Sequence, residues 1–181
     1  NEQGRGAGKY IRLAIALLKM KNYDALVVAF PGHLACIIAR CVTRKVIIFD
    51  AFISVYDTNV FDRALIQAGS ARGWYYWCID WLAFHAASII VIDTDEHAAY
   101  LHREFNVSSD RLRVVPVVTD IVLFHPRQKP ASDKKIVWWH GKYSRLQNVR
   151  YIIDMAELMQ NETNVEFHLL GSGGDFTVIR A

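Results

Sequence analysis

One glycine and two basic residues near position 142 form the group with the clearest capacity for chemistry. Gly141 and Lys142 follow a short apolar run, and Arg145 opens a segment with helical periodicity. A glycine lets backbone N–H groups approach an anion closely, and the N-terminus of a helix adds roughly half a positive charge. We therefore predict that Gly141, Lys142 and Arg145 bind an anion, for which a diphosphate is the best match. The alternative interpretation is an ordinary solvated loop.

Two further glycines follow the next apolar run. Gly171 and Gly173 flank Ser172, so the backbone there also has room for an anion. The motif is not a complete dinucleotide fingerprint, because Phe176 occupies the position of its third glycine. We therefore retain Gly171 and Gly173 as candidate cleft residues, and a nicotinamide-dependent dehydrogenase is the weaker interpretation.

Three aspartates and an arginine follow the apolar run 45–49. Asp50 comes directly after that run, and Asp57, Asp62 and Arg63 follow shortly after it. A carboxylate at the end of a strand can accept a hydrogen bond from a sugar hydroxyl or act as a base. These four residues are therefore candidate cleft residues. A helix cap or a turn is the structural alternative for the aspartates.

Two histidines also lie next to glycines at the ends of apolar runs. His33 belongs to a Pro-Gly-His turn, where a histidine bonded to the backbone is the simpler interpretation. His140 directly precedes Gly141, which is a better position for contact with a ligand. We keep both as candidate cleft residues.

Short apolar runs alternate with helical segments up to position 126, and these elements position the residues above. Continuous apolar runs of this length are typical of strands buried on both faces of a parallel sheet. We predict strands at 25–30, 45–49, 88–92 and 114–115. We predict helices at 9–20, 34–43, 73–86 and 95–105. The alternation favours an α/β fold with an open parallel sheet, helices on both faces and ligands at the carboxyl ends of the strands.

The polar, proline-containing stretch 127–135 predicts a linker between two domains. A second alternation follows it, with a strand at 136–139, a loop at 141–144, a helix at 145–161 and a strand at 165–170. We therefore expect a Rossmann-like domain over 1–126 and the beginning of a second one over 136–181. Because the first residue is not Met and the second alternation is short, we expect the middle of a longer two-domain protein.

Composition excludes several classes of protein. With 52% hydrophobic and 22% charged residues, the chain is too apolar for a disordered protein. A net charge of +3 gives no electrostatic case for nucleic acid, so no such partner is expected. Three cysteines without zinc-like spacing indicate reduced thiols in a cytoplasmic protein.

An aromatic segment at 74–81 allows two interpretations. Trp74, Trp77 and Trp81 recur at helical spacing on one face, with Tyr75 beside them. Packing against the sheet as core is the interpretation that we favour. Trp and Tyr rings also favour a lipid interface and stack on sugars, so peripheral contact with the inner face of a membrane stays open. The segment is too short and too interrupted to span a bilayer.

Three stretches of the chain resemble glycosyltransferase family 4. The first and the third contain candidate residues named above, and the order and spacing of all three match the family layout. In chain order they are 49–58 (FDAFISVYDT) with Asp62 and Arg63, then 114–116 with Asp120, Phe124 and Pro126, then 140–149 with 171–173.

The resemblance implies a GT-B architecture, in which two Rossmann-like domains face a cleft. It implies transfer of a sugar from a nucleotide-sugar to an unknown acceptor, with retention of anomeric configuration and without a metal or other cofactor. A cell-envelope or surface glycan is the acceptor that we expect. The donor diphosphate would lie against Gly141, Lys142 and Arg145, and Asp50 would contact the acceptor or the donor sugar. The family's downstream carboxylates would fall after position 181, so we expect the chain alone to be inactive.

Four positions depart from the family pattern, and one of them is Asp50, which aligns with the family's strand-end histidine that contacts the donor sugar. Gln147 replaces a lysine, and Asn148 and Val118 replace glycines. These departures leave two alternatives open. One is a GT-B nucleotide-sugar epimerase, and the other is a module that binds a nucleotide or a sugar without catalysis.

Overall fold

The computed structural model describes residues 8–20, 22–126 and 133–173, with the backbone alone for Arg145. The chain divides into two compact units, Asn1–Val118 and Thr119–Ala181. The linker predicted at 127–135 falls largely on residues outside the described ranges. The linker and the domain bounds drawn around it therefore remain predictions.

The first unit is built on a four-stranded parallel sheet with the strand order β1-β2-β3-β4. The strands are β1 (Ala25–Val28), β2 (Val46–Phe52), β3 (Ile89–Ile92) and β4 (Leu112–Val114). The helices are α1 (Gly8–Lys19), α2 (His33–Val42), α3 (Val55–Asp57), α4 (Ala71–Ala86) and α5 (Asp95–Phe105). A π-helical turn, Thr58–Asp62, follows α3. This confirms a parallel α/β fold, which is compatible with a Rossmann-like arrangement.

Capping residues explain where two of these helices begin. The hydroxyl of Ser70 accepts a hydrogen bond from the Gly73 N–H at the start of α4, and Thr94 caps α5 in the same way. Asp95 adds negative charge to the first turn of α5, where it stabilises the positive end of the helix dipole. Asn106 ends α5 in the left-handed conformation, with φ 53°.

One face of the sheet forms the core of the first unit. Phe49, Ala51 and Ile90 point to this face and share one buried cluster with residues of α1, α2, α4 and α5. The opposite face carries Val27 and Val46, which are 67% and 44% exposed. The expectation of helices on both faces is therefore wrong for the described residues. Connections between parallel strands are right-handed, and here each connection leads to the next strand in the same direction along the sheet. Every connecting helix therefore lies on the same side of the sheet.

Helix α4 separates aromatic residues that we expected together in the core. Trp77 packs against the core, with its ring stacked on Phe105 at a centroid distance of 5.7 Å. Trp74, Tyr75 and Trp81 are exposed, so the core interpretation is wrong for them. The sheet covers only one side of the helix, and these three rings lie outside that side. None of the helices within the described ranges has the length and apolar character needed to cross a bilayer.

The second unit contains two parallel strands, β5 (Lys135–Lys142) and β6 (Val165–Ser172), connected through α6 (Arg150–Leu158). Strand β5 runs through the start of the loop expected at 141–144, because its pairing with β6 continues to the last residue of each strand. The helix expected from 145 begins five residues later than predicted. A 3-10 turn, Arg145–Gln147, precedes it, and Asn148 interrupts helical geometry with a φ of 50°.

Candidate functional site

The carboxyl edge of the four-stranded sheet gathers polar residues of the first unit. His33 follows β1, Ser54 follows β2 and Asp93 follows β3. Because the strands are parallel, their carboxyl ends meet at one edge, where ligands of open α/β sheets bind. Helices α3, α4 and α5 bring further polar side chains to these three.

Asp80 of α4 is the centre of a buried hydrogen-bond network at this edge. Its Oδ2 accepts hydrogen bonds from the Ser54 hydroxyl at 2.7 Å and from the Tyr56 N–H at 2.8 Å. The Ser54 oxygen also accepts a hydrogen bond from the Asp57 N–H at 2.9 Å and so caps α3. Asp80 is fully buried and cannot reach solvent. It therefore acts as a support that holds the short helix carrying Asp57.

His33 is buried beside Asp80 rather than open to a ligand. Its Nε2 lies 3.3 Å from Oδ1 of Asp80, and its ring meets the Phe49 ring edge-on at 5.0 Å. Burial lowers the pKa of His33 to about 4, although a hydrogen bond with the Ile53 backbone raises it. Burial raises the pKa of Asp80 to about 6, although the hydrogen bonds from Ser54 and from the backbone lower it. His33 is therefore a neutral core residue near pH 7.

Asp57 is half-buried and receives a hydrogen bond from the hydroxyl of Tyr100 in α5. Burial raises the pKa of Asp57, and the neighbouring carboxylate of Asp62 raises it further. The Tyr100 hydroxyl and the nearby His97 act in the opposite direction. Burial and the charge of Asp57 raise the pKa of Tyr100, so the phenol keeps its proton. Asp57 is consequently the best-placed base at this edge.

His97 and Asp93 form the open part of the same cluster. The Nδ1 atom of His97 lies 2.6 Å from Oδ1 of Asp93, and the two side chains are 38% and 18% exposed. A carboxylate partner on Nδ1 fixes the orientation of the ring and leaves Nε2 for another group. The edge thus offers carboxylate, phenol and imidazole groups together. These are groups that bind hydroxyl-bearing ligands.

Asp50 does not follow a strand, because β2 extends beyond the predicted end. It lies inside β2, paired in register with Val91, and a bulge carries the strand on to Phe52. Its neighbours Phe49 and Ala51 point into the core, so Asp50 points to the opposite face of the sheet. The structure therefore does not bring Asp50 to the Asp57 cluster at the strand ends.

Three of the predicted site residues remain: Asp62, Arg63 and His140. Asp62 is half-buried at the end of the π-helical turn and lies close enough to Asp57 to influence its pKa. Arg63 is exposed. His140 lies within β5 opposite Leu170 and not at the strand end, because the strand continues to Lys142.

The carboxyl ends of β5 and β6 form a second candidate site, in the second unit. Lys142 and Ser172 are paired in register and exposed. The N–H of Tyr143 donates a hydrogen bond to the Ser172 carbonyl at 2.9 Å, so the pairing continues to the end of the strand. This end presents an ammonium group beside a hydroxyl. The side chain of Arg145 lies outside the described part of the chain, and the helix N-terminus expected beside Lys142 is instead at Arg150.

Strand pairing accounts for the glycines of this second site. A Cβ atom on Gly171 would collide with the carbonyl oxygen of Gly141, and one on Gly173 would collide with the backbone of Tyr143. A Cβ atom on Gly141 would meet the Trp139 ring at 3.0 Å. The close approach of the two strands is therefore sufficient reason for Gly171 and Gly173. Lys142 is the residue here whose exposed side chain is accessible to an anion.

Sequence reasoning missed three residues of the first site: Asp80, Tyr100 and His97. Asp80 carries a signal, because it is a lone carboxylate inside an apolar aromatic stretch, where an ionised group needs buried partners. The spacing of Asp93 and His97 suits a contact across one helical turn. Tyr100 carries no local signal, since its partner Asp57 belongs to a distant segment.

Within the described ranges, no three His, Cys, Asp or Glu side chains are placed to hold a metal ion together. Comparisons with known protein families and with curated proteins find no match for the chain.

Proposed function

We propose that the chain belongs to a retaining glycosyltransferase of GT-B architecture. In this proposal the first unit binds the acceptor, and the second unit binds the diphosphate of a nucleotide-sugar donor. The observation that carries it is the cluster of Asp57, Tyr100 and His97 at the carboxyl edge of a parallel sheet. The segment 49–58, which resembles a strand-end segment of the family, leads directly into that cluster.

The Asp57 cluster suits an acceptor that bears several hydroxyl groups. Asp57 accepts a hydrogen bond from the attacking hydroxyl, and its raised pKa makes it a stronger base for that proton than a solvated aspartate. His97, held by Asp93, binds a neighbouring hydroxyl and orients the acceptor. Asp80 and Ser54 are positioning residues, because they hold the start of the helix that carries Asp57.

Lys142 is the group that we assign to the donor. As the bond to the sugar breaks, negative charge accumulates on the departing diphosphate, and a fixed cation beside it lowers the barrier. Lys142 supplies that charge at the end of β5, and Ser172 adds a hydroxyl from the paired strand. Arg145 is the second cation that the sequence offers to this site.

Calorimetric titration of the chain with uridine, guanosine and adenosine diphosphates tests the donor site. We expect one of the three to bind, and we expect Lys142→Ala to weaken that binding about tenfold, as the loss of one charged hydrogen bond predicts. Lys135→Ala is the matched control, because Lys135 is an exposed lysine at the opposite end of the same strand. Equal affinity of Lys142→Ala and wild type contradicts the donor site.

The acceptor site requires a separate measurement. In the longer two-domain protein that the sequence analysis expects, Asp57→Asn should abolish release of nucleoside diphosphate from a nucleotide-sugar in the presence of an acceptor, while the affinity for the nucleotide stays unchanged. A change in the configuration of the donor sugar without any acceptor would instead identify an epimerase. Retention of full transfer by Asp57→Asn would remove Asp57 from the mechanism.

A further inference from the structure

The side of α4 that faces away from the sheet is unusually rich in large apolar side chains. Trp74 is 59% exposed, Tyr75 56%, Leu82 47% and Trp81 39%. Cys78, also exposed, lies between them on the same side of the helix. We call these five residues the outer face of α4.

Helix α4 also has a side that packs in the core, so the outer face is a second apolar side. The opposite side of α4 contributes Ala83 and Phe84 to the buried cluster, and Trp77 packs against it. Gly73 and Asp80 are buried on that side as well. The helix is thus apolar on two sides, and the sheet accounts for only one of them. A second apolar side on a surface helix is typical of an interaction surface.

Neighbouring aromatic residues extend the outer face toward the segment before α4. A cleft of about 170 Å³ is lined by Tyr56, Gly69, Trp74 and Trp77. The Tyr56 ring in turn meets the ring of Phe61, which is 58% exposed, at a centroid distance of 5.9 Å. The exposed apolar surface therefore continues across more than one element.

The exposed charges of α4 and of the segment directly before it are positive. Between positions 61 and 86, the exposed ionised side chains are Arg63 and Arg72. The two carboxylates of the same stretch do not balance them at the surface, because Asp62 is half-buried and Asp80 is fully buried. A surface of Trp, Tyr and Leu side chains with cationic neighbours is complementary to a layer of anionic headgroups over acyl chains.

We propose that the outer face of α4 binds the surface of a bilayer that contains anionic phospholipids. Trp and Tyr place an apolar ring among the acyl chains and a polar N–H or O–H among the headgroups, which is why both are enriched at membrane interfaces. Leu82 adds apolar area, and Arg72 contacts a phosphate. None of the five residues of the outer face belongs to the Asp57 cluster, so the proposal does not depend on the proposed function.

Co-sedimentation with vesicles tests the proposal. The chain should bind vesicles of phosphatidylglycerol and phosphatidylcholine in equal parts, and bind pure phosphatidylcholine much more weakly. The double variant Trp74→Ala/Trp81→Ala should lose at least tenfold in partitioning, since two interfacial rings are removed. Arg72→Gln should lose about fivefold, as expected for one cation near an anionic surface. Trp138→Ala is the matched control, because Trp138 is an equally exposed tryptophan, 58%, in the second unit.

Two further measurements keep the test independent of folding and of other partners. A fluorophore attached at Cys78 in a Cys41→Ser chain should shift its emission to shorter wavelength when the anionic vesicles are added. The midpoint of urea denaturation should be nearly the same in Trp74→Ala/Trp81→Ala as in wild type, because both rings are exposed, and this shows that the variant is folded. Three results would overturn the proposal: no vesicle binding by the wild type, equal binding by the double variant, or dimerisation through Trp74 without vesicle binding.

Discussion

The Nε2 atom of His33 lies 3.3 Å from Oδ1 of Asp80, and both side chains are buried. His33 is the first residue of α2, and Asp80 lies in the middle of α4. Their orientation is not that of a hydrogen bond, and within the described residues neither atom has another hydrogen-bond partner. Burial is therefore the main cause of both pKa shifts. It lowers the pKa of His33 and raises the pKa of Asp80.

The titrations of Asp80 and His33 should change the free energy of unfolding with pH in opposite directions. The pKa of Asp80 rises from 3.8 to about 6 on folding, so its contribution to the free energy of unfolding falls as pH rises through that window. The pKa of His33 falls from 6.5 to about 4, so its contribution increases as pH rises through that window. In the wild-type protein the two contributions largely offset each other between about pH 4 and pH 6.

Replacing one of the two residues should leave the pH dependence of unfolding that the other one causes. In Asp80→Asn the free energy of unfolding should increase with pH, relative to wild type, by up to about 1.4 kcal/mol per pH unit. In His33→Gln it should decrease with pH over the same window. Urea denaturation at several pH values measures both slopes. Slopes of the same sign in the two variants would contradict the assignment.

Tyr100→Phe should raise the pKa of Asp57 further. The Tyr100 hydroxyl donates a hydrogen bond that stabilises the ionised carboxylate, so its loss favours the protonated form. The free energy of unfolding should fall by about 1 kcal/mol for the lost bond. Carbon-detected NMR titration of the Asp57 carboxyl group measures the shift. Tyr75→Phe is the control, because Tyr75 lies on the outer face of α4, and a lower Asp57 pKa in Tyr100→Phe would contradict the contact.

Two tryptophans of α4 should differ sharply in their contribution to stability. Trp77→Ala should lower the free energy of unfolding by about 3 kcal/mol, because its ring stacks on Phe105 against the core. Trp74→Ala should change it by less than about 0.5 kcal/mol, because that ring is mostly exposed. Urea denaturation compares the two variants, and similar losses in both would contradict the orientation of α4.

Gly171→Ala should destabilise the second unit whatever ligand that unit binds. The new methyl group would collide with the carbonyl oxygen of Gly141, so the paired strands must separate at a cost of about 1–3 kcal/mol. Faster hydrogen exchange in β5 and β6 measures the effect. Gly8→Ala is the control, since nothing lies within 4 Å of its added Cβ. A fully stable Gly171→Ala that fails to bind diphosphate would assign the glycine to the ligand instead.

Local patterns predicted the elements whose determinants lie close together in the sequence. Helix α5 has the predicted bounds, because Thr94 caps its first turn and Asn106 ends it. The buried strand β3 begins and ends within a residue of its apolar run. Capping and apolar runs act over a few residues, which is why the sequence alone contains them.

Elements whose extent depends on a partner were predicted less well. Strand β2 runs on to Phe52, and β5 runs on to Lys142, because a neighbouring strand continues to pair with each. The segment 55–62 was not predicted as helical, although α3 and the π-helical turn occupy it. The start of α3 depends on Ser54, whose hydroxyl is held by Asp80 of another helix.

The sequence by itself determined a parallel α/β fold and the carboxyl ends of its strands as the place to look for chemistry. Only the tertiary structure decided which polar residues meet there. It buried His33 against Asp80, joined Asp57 to Tyr100 and turned Asp50 to the other face of the sheet. These outcomes depend on burial and on contacts between residues far apart in the chain. No local pattern of residues specifies either, because both arise only when the elements pack.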